Sequence, residues 1–409
     1  MKTYVMVQKT LNKQKMKTPN NWITCKLQEV CSTTSGGTPS RRHSEYYKGS
    51  IPWIKSGELN DSIILNSKEH ISEDAIKNSN AKLFPVGSLL IALYGATIGK
   101  MAFLGVPATT NQAICCIFKN SGVNLNFLFY FLLLNRTNLI NQGKGGAQKN
   151  ISQNLLKDII IPVPPMAEQK RIVKKIEKLF GVIDEQVKRL EDTQEALVSY
   201  RQSILHSLFS SAIGENVPLE KCLNYLQPTP YIVKSTDYME AGEVPVLTPG
   251  KTFILGFTKE KEGIFTNPLP VIIFDDFTTS TKLVDFPFKV KSSAMKILLA
   301  KEGVDIRYIY YIMQILSCPH DTHKRYWISI YAKMRIILPS LPEQKAIVKK
   351  IENAFAFADK AQAAITGALE QAKQLKQSVL KRAFEGKLVP QDPNDKPVDL
   401  TQLKKDKQK

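Results

Sequence analysis

Apolar residues recur at steps of three and four along two separate stretches of the chain. In the first they are Ile172, Ile176, Leu179, Ile183, Val187, Leu190, Leu197, Ile204 and Leu208; in the second, Ile347, Ile351, Ala354, Ala358, Ile365, Leu369, Ala372 and Val379. That spacing puts each set on one narrow stripe of a helix whose other faces are polar, the pattern of a coiled-coil seam. Both stretches contain the same 4-4-3 step, at 183-187-190 and 358-362-365. Such a step locally relaxes a left-handed supercoil, so two helices that share it are expected to pair with each other. Each follows a proline stop, Pro162-Val163-Pro164-Pro165 and Pro339 with Pro342, where the fixed φ sets the first turn. Helices of about 45 residues would measure about 65–70 Å and would serve as spacers.

The two stretches are copies. Residues 168–177 and 343–352 match at nine of ten positions, Ala346 standing against Arg171, and the offset of 175 continues without a gap through Gln202-Ser203-Ile204-Leu205 against Gln377-Ser378-Val379-Leu380 and Phe209 against Phe384. Ahead of each copy the correspondence is weaker but ordered. Leu89 to Lys100 aligns with Val271 to Lys282, each a buried strand followed by a small, polar turn ending in Lys. Thr110 to Ile114 then aligns with Lys291 to Met295, and Leu125 to Leu134 with Asp305 to Leu316 as aromatic-sided helices. The predicted order is an α+β domain, a long helix, a second α+β domain and a second long helix: a basic arm at 1–20, a first domain at 21–164, a helix at 165–215, a second domain at 216–339, a helix at 340–389 and a tail at 390–409.

Charge sharpens the functional side. The 409 residues carry 56 Lys+Arg against 37 Asp+Glu, a formal net charge of +19. It divides into +5 on the arm, +6 on the first domain, 0 on the first helix, +3 on the second domain, +4 on the second helix and +1 on the tail. Diffuse basicity over folded domains points to nucleic acid more than to a membrane, which would call for a compact polybasic patch beside an apolar helix. The longest apolar run, Phe127 to Leu134, has 8 residues, under half of a bilayer span. The N-terminus lacks an apolar signal core. Six cysteines without a CxxC pair read as reduced cytosolic thiols, and a cytoplasmic protein is expected.

Catalytic chemistry finds little support. Gly95-Ala96-Thr97-Ile98-Gly99-Lys100 departs from a phosphate loop, with its second glycine one place early and Met101 where Ser or Thr belongs. Asn267-Pro268-Leu269-Pro270 lacks the second adjacent proline and the aromatic of an amino-methyltransferase motif, and no glycine-rich methyl-donor loop accompanies it. Asp275 and Asp276 are adjacent on a strand, so they face opposite ways. The five histidines, His320 and His323 among them, have no zinc-type spacing. No catalytic residue and no metal site is therefore expected.

Several loops instead combine cations, amides, glycine and aromatics, the mixture that meets phosphates and base edges. In the first domain the candidate DNA contacts are Arg41, Arg42, His43, Tyr46, Lys48, Lys55, Thr97, Lys100, Thr110, Asn111, Gln112, Lys144, Gln148 and Lys149. In the second they are Lys251, Thr279, Ser280, Lys282, Lys291, Ser292, Lys324, Arg325 and Tyr326. Any one of these loops also fits an ordinary solvated surface loop; their recurrence at corresponding points of both domains favours a shared role.

Several motifs resemble those of one family, the specificity (S, or HsdS) subunits of type I restriction-modification systems. They are Ser35-Gly36-Gly37-Thr38-Pro39, Ile51-Pro52-Trp53-Ile54-Lys55-Ser56-Gly57-Glu58-Leu59, Thr110-Asn111-Gln112-Ala113, the Pro-Pro-x-x-Glu-Gln-x-x-Ile repeat from Pro164 with its second copy from Pro339, and Ala383-Phe384-Glu385-Gly386-Lys387-Leu388-Val389. The resemblance runs from Trp22 to about Pro390; the second domain departs from it, with Val244-Pro245-Val246-Leu247 in place of the Gly-Gly-Thr-Pro and Ile-Pro-Trp forms. It implies an α+β fold with two globular target-recognition domains separated by two long conserved helices pairing as an antiparallel coiled coil. It implies a non-catalytic subunit, each domain reading one half of a bipartite, asymmetric site in double-stranded DNA while the helices set the spacer. By the same resemblance Glu168, Gln169, Ile172 and Ile176, with Glu343, Gln344, Ile347 and Ile351, would dock two methyltransferase (M) subunits. Those subunits would bring S-adenosylmethionine and flip the target adenine; restriction (R) motor subunits would use ATP and Mg²⁺, leaving this chain without a cofactor of its own. Two rival readings remain, a methyltransferase or nuclease with an unrecognised site and a free-standing repressor or scaffold. S-adenosylmethionine binding by the isolated chain would favour the first, and purification without any methyltransferase the second.

Overall fold

A computed structural model describes residues 19–118, 122–143, 149–250, 252–317 and 325–401. The chain divides into two compact units, residues 1–188 with 369–409, and residues 189–368. Each unit is a domain together with half of each long helix.

In the first unit, strands β1 (Ile23–Lys26), β2 (Thr33–Ser35), β3 (Ile51–Ile54), β4 (Ser62–Ile64), β5 (His70–Ile71), β6 (Leu89–Ala92), β7 (Met101–Leu104), β8 (Thr109–Thr110) and β9 (Ile114–Ile117) precede helix α1 (Leu125–Gln142) and strand β10 (Ile160–Val163). A five-stranded sheet has the order β2-β9-β6-β7-β4, a three-stranded sheet the order β5-β3-β8, and β1 pairs with β10. Strands β6 and β9 are buried on both faces, which explains their unbroken apolar sequence. Their alternate residues serve two cores: Leu89, Ile91, Cys115 and Ile117 face α1, whereas Leu90, Ala92, Ile114 and Cys116 face the smaller sheet.

Helix α2 (Met166–Ser210) leaves the first domain. The second unit then repeats the plan with β11 (Glu215–Pro218), β12 (Leu223–Leu226), β13 (Val244–Leu247), β14 (Ile254–Thr258), β15 (Val271–Asp275), β16 (Thr281–Val284), β17 (Lys289–Val290), β18 (Met295–Ala300), helix α3 (Ile306–Met313) and β19 (Arg335–Leu338), before helix α4 (Leu341–Phe384). Its sheets run β12-β18-β15-β16 and β14-β13-β17, with β11 paired to β19, so strand matches strand between the units except that β4 has no counterpart. The first domain's helix is longer than the Leu125–Leu134 run suggested, and the second's is shorter than Asp305–Leu316.

Every seam position anticipated on α2 and α4 is buried or half-buried. Within the first unit, Ile172 and Ile176 near the start of α2 share a core with Val379, Leu380, Ala383 and Phe384 at the end of α4, while Asp184, further along α2, pairs with Lys376, earlier in α4. One index rises as the other falls, so the helices are antiparallel. The second unit repeats this with Arg201 on Asp359 at 2.7 Å, and these four residues are counterparts at the offset of 175. Lys376 lies 5.0 Å from the Phe180 ring centre and Arg201 lies 4.8 Å from that of Phe355, again counterparts. Among the described residues no helix is long and apolar enough to cross a membrane.

Candidate nucleic-acid interface

In the first unit, strand direction gathers four polar loops. β3 and β8 are parallel, so the turns that follow them, Lys55–Glu58 and Asn111–Ala113, emerge side by side. β2 and β6 both run antiparallel to β9, so their C-terminal ends lie beside its start, and the loops 36–43 and 95–100 emerge there too. Hydrogen bonds tie these loops together. Gly37 N donates to Thr110 O at 2.9 Å, Asn111 N to Ile54 O at 3.0 Å, and Leu93 N to Ala113 O at 2.7 Å. The Thr97 hydroxyl donates to Ser56 O at 2.6 Å, and that of Thr38 to the Gln112 side chain. A Cβ on Gly36 would lie 2.1 Å from Thr110 Oγ1, and one on Gly37 2.3 Å from the Asn80 carbonyl carbon. Only glycine permits this approach, which accounts for the Gly-Gly pair.

Two carboxylates that sequence reasoning passed over organise the cations here. Glu69 accepts from Lys55 and from Arg41; its carboxyl is held below its ordinary range by Lys55 first, with Arg41 adding to the effect against burial. Asp61 accepts from Lys100 at 3.0 Å and from both terminal nitrogens of Arg136. Burial by itself would raise Asp61, but Arg136, Lys100 and the Met101 amide outweigh it and hold the carboxyl low. Arg41 also lies over Tyr47, 3.9 Å from the ring centre, and 5.3 Å from that of Trp53. His43 stacks on Tyr46 at 4.9 Å and faces Glu45. The side chains of Arg42 and Lys48 are exposed and make no ion pair among the described residues. Lys149 reaches Asn141 at 2.9 Å. Thr110 is fully buried, so its side chain supports the loops from behind and does not face a ligand. Asn111 is half-buried, and its Oδ1 has no hydrogen-bond partner. Lys144 and Gln148 lie outside the described residues.

The second unit gathers the equivalent ends. β13 and β17 are parallel and β15 is antiparallel to β18, which brings together the segments after Leu247, Asp275 and Val290. The turn after β15 is shaped by Asp275, whose carboxylate accepts from Phe277 N at 2.8 Å and Thr278 N at 3.0 Å, and Thr279 takes a φ of +60°. Asp276 faces the other way, as the adjacent pair predicts. It is buried, accepts from Trp327 N at 2.8 Å, and pairs at 3.5 Å with Lys296, whose side chain is 1% exposed. Lys291, Ser292 and Arg325 are exposed, while Ser280 and Lys282 are half-buried. Tyr326 is a correction: it is 2% exposed, its ring packed into the domain core and its N–H on Asp276 O at 2.9 Å, so it positions Arg325 and cannot itself stack on a base. Lys251 and Lys324, like His320 and His323, lie outside the described residues. Among the described residues no cluster of metal-ligating side chains occurs.

The residues expected to dock partners are mostly occupied within the chain. Gln169 is fully buried; its Oε1 accepts from Asn124 N at 2.8 Å and its Nε2 donates to Pro164 O at 2.8 Å and Gly122 O at 3.2 Å. Gln344 does the same with Asp305 N at 2.8 Å, Pro339 O at 2.9 Å and Gly303 O at 3.2 Å. Each glutamine therefore clamps the start of a long helix to the N-terminus of α1 or α3. Glu168 is buried beneath Trp22 Nε1 at 3.0 Å and Gln391 at 2.6 Å, and Ile172, Ile176 and Ile351 are core residues. Of the eight, only Glu343, which caps Ser340, and the half-buried Ile347 reach the surface. A polar residue in the first turn of a helix reads as solvent-facing, and the domain helix packed over it is invisible to periodicity.

Two α+β domains, each joined to half of an antiparallel helix pair, define a duplicated architecture with a cluster of polar loops at the strand ends of each copy. Residues 19–192 match the family described as type I restriction modification DNA specificity domain. The chain is 43% identical over 162 residues, 37% of its length, to the specificity subunit of the Escherichia coli type I restriction enzyme EcoR124I/EcoR124II, covering 40% of that protein. It is 29% identical over 180 residues, 43% of its length, to the MjaIX specificity subunit of Methanocaldococcus jannaschii, covering 41% of it. These two matches span about two fifths of the relatives' own lengths. A longer match, 22% identical over 91% of the chain and 87% of the relative, is to the E. coli EcoBI specificity subunit. Among solved structures, a chain of a type I R-M system superposes with a TM-score of 0.71 at 19% identity, covering 91% of this chain and 99% of that one. The HsdS subunit from Thermoanaerobacter tengcongensis gives 0.52 at 19% identity, covering 92% and 100%; these structural likenesses establish the fold. Its first domain, with the start of α2, is thus similar to the DNA specificity domain of type I restriction-modification systems.

Proposed function

We propose that this chain is the non-catalytic DNA sequence-specificity subunit of a cytoplasmic type I restriction-modification complex. Each domain reads one half of a bipartite, asymmetric site, and the paired helices set the spacer. The observation that carries this reading is the duplicated edge: corresponding strand ends present polar loops in both domains, built from different residues. Phosphate contacts from the exposed cations supply salt-sensitive affinity, and amide and guanidinium groups supply base readout. Two methyltransferase subunits, bringing S-adenosylmethionine, dock on the exposed faces of the long helices, and restriction subunits using ATP and Mg²⁺ complete the assembly. The deciding experiment exchanges residues 21–160 for another such domain and maps methylated adenines in the host genome. One half of the motif changes and the other half and the spacer persist; a change in both halves refutes the reading.

A further inference from the structure

We propose that Arg41 reads a guanine in the half-site of the first domain, held in its reading position by Tyr47 and Glu69; this rests on the function proposed above. Three observations converge on this residue. The guanidinium carbon lies over Tyr47, 3.9 Å from the ring centre, and Tyr47 is itself fixed by its hydroxyl on Pro39 O at 2.7 Å and by edge contact with Trp53. One terminal nitrogen is spent on Glu69 at 2.5 Å, and Glu69 is anchored a second time by Lys55. Yet the Arg41 side chain remains 57% exposed, so the guanidinium stays open to solvent beside its two anchors. A guanidinium held by a ring and a carboxylate and still open on one side is suited to meet guanine O6 and N7 with two parallel hydrogen bonds. Holding it beforehand removes most of the rotamer entropy that a free arginine would lose on binding.

Its surroundings match a base edge more than a phosphate alone. The Trp53 ring beside Arg41 donates through Nε1 to Gly37 O at 3.0 Å. The Gly-Gly-Thr-Pro loop carrying Thr38 is bonded to the exposed Gln112. An amide able to address an adjacent base pair therefore sits on the same edge as the arginine. Arg42, next in sequence, is exposed without stacking or an ion pair among the described residues and serves as the phosphate contact.

The test uses the whole chain assembled with its methyltransferase subunits. The wild-type motif is read from the host methylome, and the complex is titrated against duplexes in which each G·C pair of the first half-site is replaced in turn. We expect the wild-type complex to lose about 5- to 150-fold in affinity at one of these pairs. R41A and R41K lose less than about threefold there, keeping discrimination at the other positions and in the second half-site, because neither retains the bidentate fork. R42A weakens binding to all duplexes alike and flattens the salt dependence. Arg41→Ala with unchanged discrimination at every G·C pair overturns the proposal, as does a first half-site without guanine on either strand. Loss of all binding by both R41A and R41K also overturns it, since that marks a residue needed for folding. If the wild-type chain yields no bipartite motif, the failure lies with the function proposed above and not with Arg41.

Discussion

Replacing Gln169 by alanine tests whether the glutamine of each helix start is a structural clamp. The side chain is fully buried and makes three hydrogen bonds, one accepted from Asn124 N and two donated to the Pro164 and Gly122 carbonyls. Net contributions of about 0.5–1.5 kcal/mol each, with at least Asn124 N and Pro164 O left unpaired inside the protein, put the cost at about 3–4.5 kcal/mol. Asn124 caps α1 with its own side chain, so the loss falls on the first turn of that helix. With two units in the chain a single unfolding free energy is poorly defined, so the readout is native-state hydrogen exchange by peptide. Amides in 122–130 should exchange faster by about a hundredfold or more, while those in 303–310 hold. Gln344→Ala should reverse the pattern, because its three bonds match those of Gln169 to within 0.1 Å. Gln169→Glu separates bonding from packing: it has nearly the same shape but no donor for the two carbonyls, so it should be at least as damaging as alanine. An isosteric Glu that behaves as wild type, or an alanine effect below tenfold, refutes the clamp.

Two further predictions follow from buried charges. Lys296→Met leaves Asp276 charged and unpaired inside the second domain, at a cost of about 3–5 kcal/mol; D276L/K296C, which takes the residues that strand pairing makes equivalent, Leu93 just past β6 and Cys115 on β9, should cost less than K296M alone in thermal denaturation, and a double variant that costs the sum of its parts refutes the coupling. At the tail, Arg171 grips Asp395 with bonds of 3.0 and 2.6 Å, and that hydrogen bond holds the Asp395 carboxyl below its ordinary value. A carboxyl depressed in the folded state contributes stability that is full above its unfolded pKa and is lost as pH falls through the folded value. Limited proteolysis should therefore find residues 387–401 protected down to about pH 4 and released below it, whereas Asp395→Ala should expose them at neutral pH; equal protection of both at pH 7 would show that Leu388, Val389, Val398 and Leu400, packed on the core, hold the tail unaided.

The parts legible in the sequence are those written in a period. The stripe on α2 and α4 repeats every three or four residues, and its shared 4-4-3 step announced pairing before any contact was visible. Strands β6 and β15 could be read because burial on both faces leaves an unbroken apolar run. The site was legible only as far as its composition. Arg41, Lys55 and Lys100 are cations in glycine-rich loops and could be named, but their partners could not. Glu69 lies 28 residues from Arg41, and Asp61 lies 75 from Arg136; those distances are closed by β-sheet topology, which leaves no local signature. Tyr326 was misread for a related reason: an aromatic beside Lys and Arg suits a nucleic-acid loop, but a backbone bond to the end of β15 turns its ring inward.

The comparison of the two units separates what the architecture must keep from what it can vary. Gln169 and Gln344, Phe180 and Phe355, Asp184 and Asp359, and Arg201 and Lys376 do the same work at one offset, and Tyr130 meets Phe180 at 5.7 Å just as Tyr311 meets Phe355. Little of that identity extends to the strand ends. Where the first domain places Leu93, Cys115 and Ile151 in an apolar cluster, the second places Asp276, Lys296 and Tyr326; yet the backbone bonds from Leu93 N to Ala113 O and from Ile151 N to Leu93 O recur from Asp276 N to Ala294 O and from Tyr326 N to Asp276 O. The fold thus holds the main chain at each set of strand ends in one geometry and leaves the side chains free to differ. Under the function proposed above, two edges of like main-chain geometry and unlike side chains are suited to different half-sites, so an asymmetric DNA site would follow from side-chain replacement on a common frame and need no difference in fold.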